Sequence, residues 1–291
     1  MITLLVALVF TGLGFSQGGG VKGEDKVEVK TKIEVKGKLF IIGGGTRSAE
    51  LTKQMLATAQ LGRHDYIAVL PMSSGEKDTS FYYFKRSVDS LCSNAVVNLD
   101  FTKADVNNAQ RLDSLAKAKL IYITGGQQTR FMNIVLNTPV FDKIHEAYRN
   151  GATIAGTSAG AAVMSEQMIT GKNTITDSSK NIPYRLYAEN TEVAKGLGLL
   201  KSVIIDQHFI ARSRYNRLLS LLYRFPKHTG IGIDESTAII VDGKKVTVAG
   251  EGQVVVFADP KGLSLTPGGM IRYEHLKTSI YVAGDVFTIR Q

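Results

Sequence analysis

Short apolar runs alternate with amphipathic stretches along most of the chain. The apolar runs predict buried β-strands at Lys38–Ile42, Tyr66–Leu70, Ala95–Leu99 and Leu120–Ile123. Helical spacing between these runs predicts helices at 46–60 and 80–92. Strands and helices that alternate in this way are typical of a parallel sheet with helices packed on its faces. The pattern therefore predicts an α/β fold with a mainly parallel sheet.

The pattern changes after Ser236. Short apolar strands follow one another there, separated by turn sequences at Asp242-Gly243 and at 250–252. An Asp-Gly pair between apolar runs is a strong signal for a tight β-hairpin. We therefore expect C-terminal β-hairpins to be added at one edge of the main sheet.

Length and composition favour one large domain. The chain has 291 residues, and 44% of them are hydrophobic, which is enough for a sizeable core. We assign residues 38–291 to this domain. The sequence contains one cysteine, Cys92, so an intrachain disulfide and a cysteine-based metal site are both excluded.

The N-terminus carries an apolar run, Ile2–Phe15, which has the length of a signal-peptide core and is too short to span a bilayer stably. Small residues before Gln17 suit a cleavage site. We therefore predict a signal peptide at 1–16, cleavage near Ser16/Gln17, and a secreted or periplasmic protein. Residues 17–37 are glycine-rich and then alternate apolar with charged positions, which predicts a polar, extended arm.

Charge narrows the choice of partners. The net charge is +9 at pH 7, and part of it comes from lysines ahead of the domain. No compact basic motif with interleaved aromatic residues accompanies that charge, so we do not expect nucleic acid as a partner. A polyanionic polymer is a simpler partner for such a surface. The triglycine Gly43–Gly45 does not complete a dinucleotide fingerprint, so we assign it to the floor of an active site.

The most informative motif is G-x-S-x-G around Ser158. A short apolar strand precedes this serine, and good helix formers follow it from Ala159 to Met168. In such an elbow, Gly156 and Gly160 allow the backbone to pass closely, and the N–H of Ala159 points toward a developing oxyanion. The motif predicts a nucleophile. It is also compatible with a tight strand-to-helix junction that holds a capping serine.

A serine nucleophile needs a base, and His208 is the histidine best placed to act as one. It follows the apolar strand Val203–Asp206, and the carboxyl ends of strands are where open α/β sheets keep their sites. The other four histidines read most simply as surface residues. Three arginines follow His208 and are predicted on the first turns of a helix, where Arg214 and Arg217 can converge on one anion. A solvated basic helix is the alternative.

An acid that accepts a hydrogen bond from the histidine ring would complete the group. Asp206, Asp234 and Glu235 all qualify on residue type. Asp234 and Glu235 lie in a polar turn between two apolar strands. A further strand runs into a diglycine turn and a helix, where Gly126 could supply a second oxyanion N–H. The polar side chains of Gln128 and Arg130 follow it.

These segments together resemble peptidase family S51, and within it the cyanophycinases more closely than the aspartyl dipeptidases. The resemblance covers nearly everything from about Lys38 onward and is most specific at 156–161, 206–217 and 232–238. It implies a flavodoxin-like three-layer α/β sandwich, with Ser158 as nucleophile, His208 as general base and then acid, and Glu235 as the orienting acid. It implies no cofactor and no metal. It also implies a substrate groove lined by Gln128, Arg130, Asp206, Gln207, Arg212, Arg214 and Arg217.

The substrate implied by the resemblance is cyanophycin, a polyaspartate whose side chains carry arginine through β-linked amides. Arginine side chains bind carboxylates bidentately, so an arginine-lined groove suits this polymer. We therefore expect an exported serine exopeptidase that releases β-aspartyl-arginine dipeptides. The alternatives are an S51 dipeptidase or isopeptidase for short aspartyl peptides, and a non-catalytic protein that binds acidic ligands. A homodimer is compatible with the sequence, which does not determine the oligomeric state.

Overall fold

A computed structural model describes residues 35–174 and 185–290. The predicted signal peptide and most of the predicted arm lie outside these ranges. The described strands are β1 Lys38–Ile42, β2 Tyr66–Leu70, β3 Ala95–Asn98, β4 Leu120–Ile123, β5 Thr153–Thr157, β6 Gln167–Asn173, β7 Thr191–Lys195, β8 Val203–Gln207, β9 Thr229–Ile233, β10 Thr237–Asp242, β11 Lys245–Gly250, β12 Val254–Lys261, β13 Ser264–Leu265, β14 Ile271–Arg272, β15 His275–Tyr281 and β16 Val286–Thr288. The described helices are α1 Ala49–Ala59, α2 Lys77–Asp89, α3 Ala109–Lys117, α4 Gln128–Val135, α5 Pro139–Arg149, α6 Ala159–Ala162 and α7 Tyr215–Arg224.

The central sheet has eight strands in the order β16-β11-β10-β1-β5-β4-β2-β3. The five strands from β1 to β3 in this order run parallel, and β10, β11 and β16 extend the sheet with antiparallel pairings. The predicted parallel sheet with C-terminal hairpin additions is therefore confirmed. It places the carboxyl ends of β1, β4 and β5 side by side at one edge, where open α/β sheets bind ligands.

Alternate residues of the buried strands face two cores. In β1, Phe40 and Ile42 pack with residues of α1 and α2, whereas Leu39 and Ile41 pack with residues of α3, α4 and α5. This gives the three layers of the predicted sandwich. All four of these side chains are fully buried, and each such apolar side chain contributes about 1.5–3 kcal/mol through its removal from water.

A second sheet has the order β15-β12-β9-β8 and packs against α7. In it β8 and β9 run parallel, with Gln207 beside Ile233. The strands on either side of the Asp234–Ser236 turn belong to different sheets, since β9 lies in the second and β10 in the central sheet. This turn therefore joins the two sheets, and it brings the carboxyl ends of β8 and β9 toward that of β1.

The helix predicted from Ala159 to Met168 is wrong in length. It ends at Ala162, and β6 begins at Gln167. The backbone after the helix pairs with a distant segment instead, because Leu197 donates to the carbonyl of Val163 at 2.7 Å and Leu200 donates to that of Met164 at 3.0 Å. Tertiary pairing thus overrides the helix propensity of this stretch. Among the described helices, none is long and apolar enough to cross a membrane.

Candidate active site

Three strand ends bring the predicted nucleophile, base and acid together. Ser158 follows β5, which pairs in parallel with β1 through Thr157 and Ile42. His208 follows β8, and Glu235 lies two residues after β9. The three side chains thus come from two sheets and meet where the sheets adjoin.

Ser158 occupies a strained elbow. Its backbone angles are φ 52° and ψ −108°, which a residue with a side chain rarely adopts. The N–H of Ser158 donates to the carbonyl of Ile42 at 3.0 Å, and its carbonyl accepts from two N–H groups of α6. A Cβ at Gly156 would lie 2.4 Å from the carbonyl oxygen of Gly160, so no side chain fits there. These contacts fix the backbone of the elbow, from which the serine hydroxyl projects.

The side chains form a continuous hydrogen-bonded chain. Ser158 Oγ lies 2.9 Å from His208 Nε2, and His208 Nδ1 lies 2.5 Å from Glu235 Oε1. The sequence left three acids open, and the geometry separates them. Asp234 Oδ1 instead accepts the N–H groups of Ile210 and Ala211 at 3.1 and 2.9 Å. Glu235 is therefore the acid that contacts the histidine ring.

The triglycine after β1 cradles the base and the acid. The carbonyl of Gly43 accepts from the N–H of His208 at 2.8 Å. A Cβ on Gly44 would lie 2.3 Å from the His208 ring, and one on Gly45 would lie 2.7 Å from Glu235 Cβ. Glycine is required at both positions because the side chains of His208 and Glu235 occupy the space, and both glycines also have positive φ. The assignment of this stretch to an active-site floor agrees with these contacts.

The surroundings of His208 lower the pKa of its imidazole. Burial is the largest influence and lowers the pKa of the imidazole, and the charges of Arg212 and Arg214 lower it further. The hydrogen bond and the charge of Glu235 act in the opposite direction, but the net shift of the pKa is downward. A neutral imidazole is the form that can accept a proton from Ser158.

Two backbone N–H groups near Ser158 remain available as oxyanion donors. Among the described residues, none accepts a hydrogen bond from the N–H of Gly126 or from that of Ala159. Ala159 is the first residue of α6, where an N–H has no partner within the helix. A Cβ on Gly125 would lie 3.5 Å from Ser158 Cβ, so the diglycine turn lies beside the nucleophile. The assignment of Gly126 and Ala159 to an oxyanion hole stays a prediction.

The buried ion pair of Asp206 and Arg217 changes the expectation for the arginines. Asp206 is fully buried, and Arg217 is only 7% exposed. Arg217 Nε donates to Asp206 Oδ2 at 2.7 Å, and its Nη2 donates to Oδ1. The anion on which Arg214 and Arg217 converge is therefore Asp206 itself, since Arg214 Nη1 lies 3.7 Å from Oδ1. Asp206 and Arg217 are thus bonded to each other, and substrate contact by either of them stays a prediction.

The other predicted groove residues differ in what they contact. The prediction that all three arginines lie on the first turns of a helix is wrong, because α7 begins at Tyr215, after the exposed Arg212 and after Arg214. Gln128 is buried and donates to the carbonyl of Ile169 at 2.7 Å, while Arg130 donates to the carbonyl of Ser73 at 3.0 Å. Gln207 is also buried, and its Oε1 has no hydrogen-bond partner among the described residues. Substrate contact by Gln128, Arg130, Gln207, Arg212 and Arg214 stays a prediction.

One residue near the site, Ser73, was not found by the sequence analysis. Ser73 lies in the loop that follows β2, is fully buried, and contacts the loop that follows β4. Its only hint in the sequence is its place just beyond the carboxyl end of a buried strand. The described part of the chain contains no cluster of three or more side chains suited to hold a metal ion.

The sequence of the chain matches the model of peptidase family S51 over residues 39–249. The cyanophycinase of Trichormus variabilis is 31% identical over 277 residues, which cover 91% of this chain and 90% of that protein. The cyanophycinase of Geminocystis herdmanii is 39% identical over 160 residues, which cover 54% of this chain and 56% of that protein.

Solved structures share the fold. A peptidase from an acI-B1 Actinobacterium superposes with a TM-score of 0.64 at 21% identity, covering 88% of this chain and 98% of that one. A putative peptidase E protein from Listeria monocytogenes superposes with a TM-score of 0.52 at 20% identity, covering 74% of this chain and 99% of that one. The family model spans most of the chain, and the relative from Trichormus aligns over nearly its full length. The chain therefore belongs to peptidase family S51.

Proposed function

We propose that this S51 peptidase is a serine-type, cyanophycinase-like exopeptidase that acts through an acyl-enzyme on Ser158. The observation that carries the proposal is the chain of hydrogen bonds from Ser158 through His208 to Glu235, with distances of 2.9 and 2.5 Å. A nucleophile, a base and an orienting acid in this order are the components of acyl transfer. The strained elbow at Ser158 supports the same role.

In the first half of the reaction, Ser158 Oγ attacks the scissile carbonyl carbon while its proton passes to His208 Nε2. Glu235 holds the ring through Nδ1 and stabilises the imidazolium that forms. The N–H groups of Gly126 and Ala159 receive the negative charge of the tetrahedral intermediate. The imidazolium then protonates the leaving amine, the C–N bond breaks, and an ester on Ser158 remains.

In the second half, water attacks the ester carbonyl and gives its proton to His208. The tetrahedral intermediate collapses, the C–O bond to Ser158 breaks, and the proton returns from His208 to Ser158. The lowered pKa of the buried imidazole favours the neutral base that each half of the reaction needs. His208 is neutral at the start of the second half as well, because its proton has left with the amine.

The proposed substrate is cyanophycin, and the products are β-aspartyl-arginine dipeptides. Relatives described as cyanophycinases, at 30–39% identity, support this choice. The exposed Arg212 and the partly buried Arg214 beside His208 offer cationic groups to the carboxylates of neighbouring repeats. Binding of those repeats would orient the scissile bond.

A second candidate is a dipeptidase or isopeptidase for short aspartyl peptides. The same catalytic side chains would serve it, and one exposed arginine is sufficient to bind a single carboxylate. A non-catalytic protein that binds acidic ligands is disfavoured, because such a protein has no use for the aligned Ser158, His208 and Glu235. We also propose export, which rests on the apolar run Ile2–Phe15.

Substitution of the three catalytic side chains tests the mechanism. Ser158→Ala removes the nucleophile without opening a large cavity, so hydrolysis should fall by at least about a thousandfold while the fold is retained. His208→Ala should be nearly as severe. Glu235→Gln should lose less, because the acid orients and does not transfer the proton. Rates are measured on cyanophycin, with circular dichroism as the control for folding; activity of Ser158→Ala within tenfold of the unmodified protein would refute the assignment.

A further inference from the structure

Ser73 links two loops that follow parallel strands of the central sheet. It lies in the loop after β2, and it is fully buried. Its Oγ lies 2.6 Å from the carbonyl oxygen of Thr124, 3.0 Å from Thr124 Oγ1 and 3.1 Å from the carbonyl oxygen of Gly125. All three oxygens belong to the loop after β4. One hydroxyl thus spans both loops.

The backbone of Ser73 also contacts the diglycine turn. Its carbonyl accepts the N–H of Gln127 at 2.9 Å and Arg130 Nη1 at 3.0 Å. Gly126 packs so closely that a Cβ there would lie 2.1 Å from the same carbonyl oxygen. Its φ of 134° is a second reason for glycine. The turn is therefore fixed on one side by Ser73, and on the other side Gly125 lies beside Ser158.

A hydroxyl carries one proton, so the three contacts are not equivalent. The short contact to the carbonyl of Thr124 suits the donated bond, and Thr124 Oγ1 can donate to Ser73 Oγ in return. Removal of the hydroxyl leaves these buried oxygens without their partner. The turn would then be free to shift relative to Ser158 Oγ.

We infer that Ser73 is a positioning residue, which orients the N–H of Gly126 toward the oxyanion formed at Ser158. The inference rests on the proposed acyl transfer at Ser158. Oxyanion donors act because they are oriented before the reaction, so a displaced donor loses part of its effect. Ser73 touches neither His208 nor Glu235 in the contacts of the described residues. Its loss should therefore slow the reaction without changing the titration of the base.

The test uses a fluorophosphonate, which reacts with the serine independently of the natural substrate. Ser158 Oγ bonds to phosphorus, the P–F bond breaks, fluoride leaves, and the serine proton passes to His208. The negative phosphoryl oxygen of the transition state needs the same oxyanion donors as a carbonyl. The second-order rate constant of this labelling is measured by intact mass against pH for the full chain.

Ser73→Ala should label about 10- to 100-fold more slowly than the unmodified protein, less than the loss for complete removal of an oxyanion donor. Ser73→Cys keeps a weak donor, so its labelling rate should lie between those of Ser73→Ala and the unmodified protein. The acid limb of the pH profile should not move. Ser220→Ala is the matched control, because Ser220 is equally buried but bonds within α7 and to Asn190; its rate should stay within about twofold.

Equal rates for Ser73→Ala and Ser220→Ala would overturn the inference, and so would a moved acid limb, since the effect would then act through His208. If Ser73→Ala does not fold, the rate for Ser73→Cys decides by the same criteria. An unmodified protein that is not labelled at Ser158 would overturn both the proposed mechanism and this inference. Labelling at Ser158 without hydrolysis of cyanophycin would refute only the proposed substrate. The labelling rates of the Ser73 variants would still decide the inference about Ser73.

Discussion

Replacement of Arg217 by methionine should destabilise the fold and should not alter substrate preference. Arg217 donates two hydrogen bonds to Asp206, and the side chains are 8% and 0% exposed. Methionine keeps much of the volume but removes the charge, so Asp206 is left buried without its principal partner. The main consequence is structural because the two groups are almost fully buried and bond to each other.

The magnitude follows from this burial. Loss of one partner of a buried ion pair costs about 3–5 kcal/mol. Arg214 Nη1 lies 3.7 Å from the same carboxylate, and the N–H of Gln207 donates to it at 2.8 Å, so part of the charge remains compensated. We therefore expect a loss of about 3 kcal/mol in the free energy of unfolding. At about 2–4 °C per kcal/mol this lowers the melting temperature by roughly 6–12 °C.

Equilibrium urea unfolding and differential scanning calorimetry measure these quantities. The double variant Asp206→Asn with Arg217→Met should recover part of the loss, because it removes the uncompensated charge. Arg212→Met is the control, since Arg212 is exposed, and it should change stability by less than about 0.5 kcal/mol. A change below about 1 kcal/mol for Arg217→Met, with selective loss of polymer hydrolysis over that of a small ester, would refute the reasoning.

Two further predictions concern the base and the leader. Arg212 lowers the pKa of His208, so Arg212→Gln should raise that pKa and move the acid limb of kcat/KM to higher pH; an unmoved limb would show that the charge does not reach the ring. Expressed with an export pathway, the protein should begin near Gln17, which N-terminal sequencing or intact mass can check. A full-length cytoplasmic product would contradict the second prediction.

Three of the parallel strands could be predicted closely because each one is a nearly continuous apolar run. The predicted bounds of Lys38–Ile42, Tyr66–Leu70 and Leu120–Ile123 coincide with those of β1, β2 and β4. These strands are buried on both faces, so their pattern is unambiguous. The helix after Ser158 was predicted too long, because its end depends on pairing with 197–200, which no local pattern reveals.

The candidate site, like the fold, could be predicted only in part from the sequence. Ser158 and His208 could be placed at strand ends from local motifs, but the sequence did not show that β5 and β8 belong to different sheets. The choice of Glu235 among three acids required either the resemblance or the structure. Asp234 and Glu235 are adjacent carboxylates, and the sequence does not show which of them points toward the histidine ring. The pairing of Arg217 with Asp206 could not be predicted, because the two residues are eleven positions apart and are buried together. Burial of a charged pair cannot be read from residue types alone.

Analysis of the soluble products released from insoluble cyanophycin tests the central claim most directly. The unmodified protein and Ser158→Ala are incubated with the polymer, and with α- and β-aspartyl dipeptides in parallel, and the products are identified by mass spectrometry. We expect β-aspartyl-arginine dipeptides from the unmodified protein and none above background from Ser158→Ala. Equal release by both proteins would contradict the role of Ser158, and cleavage of the short aspartyl peptides alone would contradict the proposed substrate.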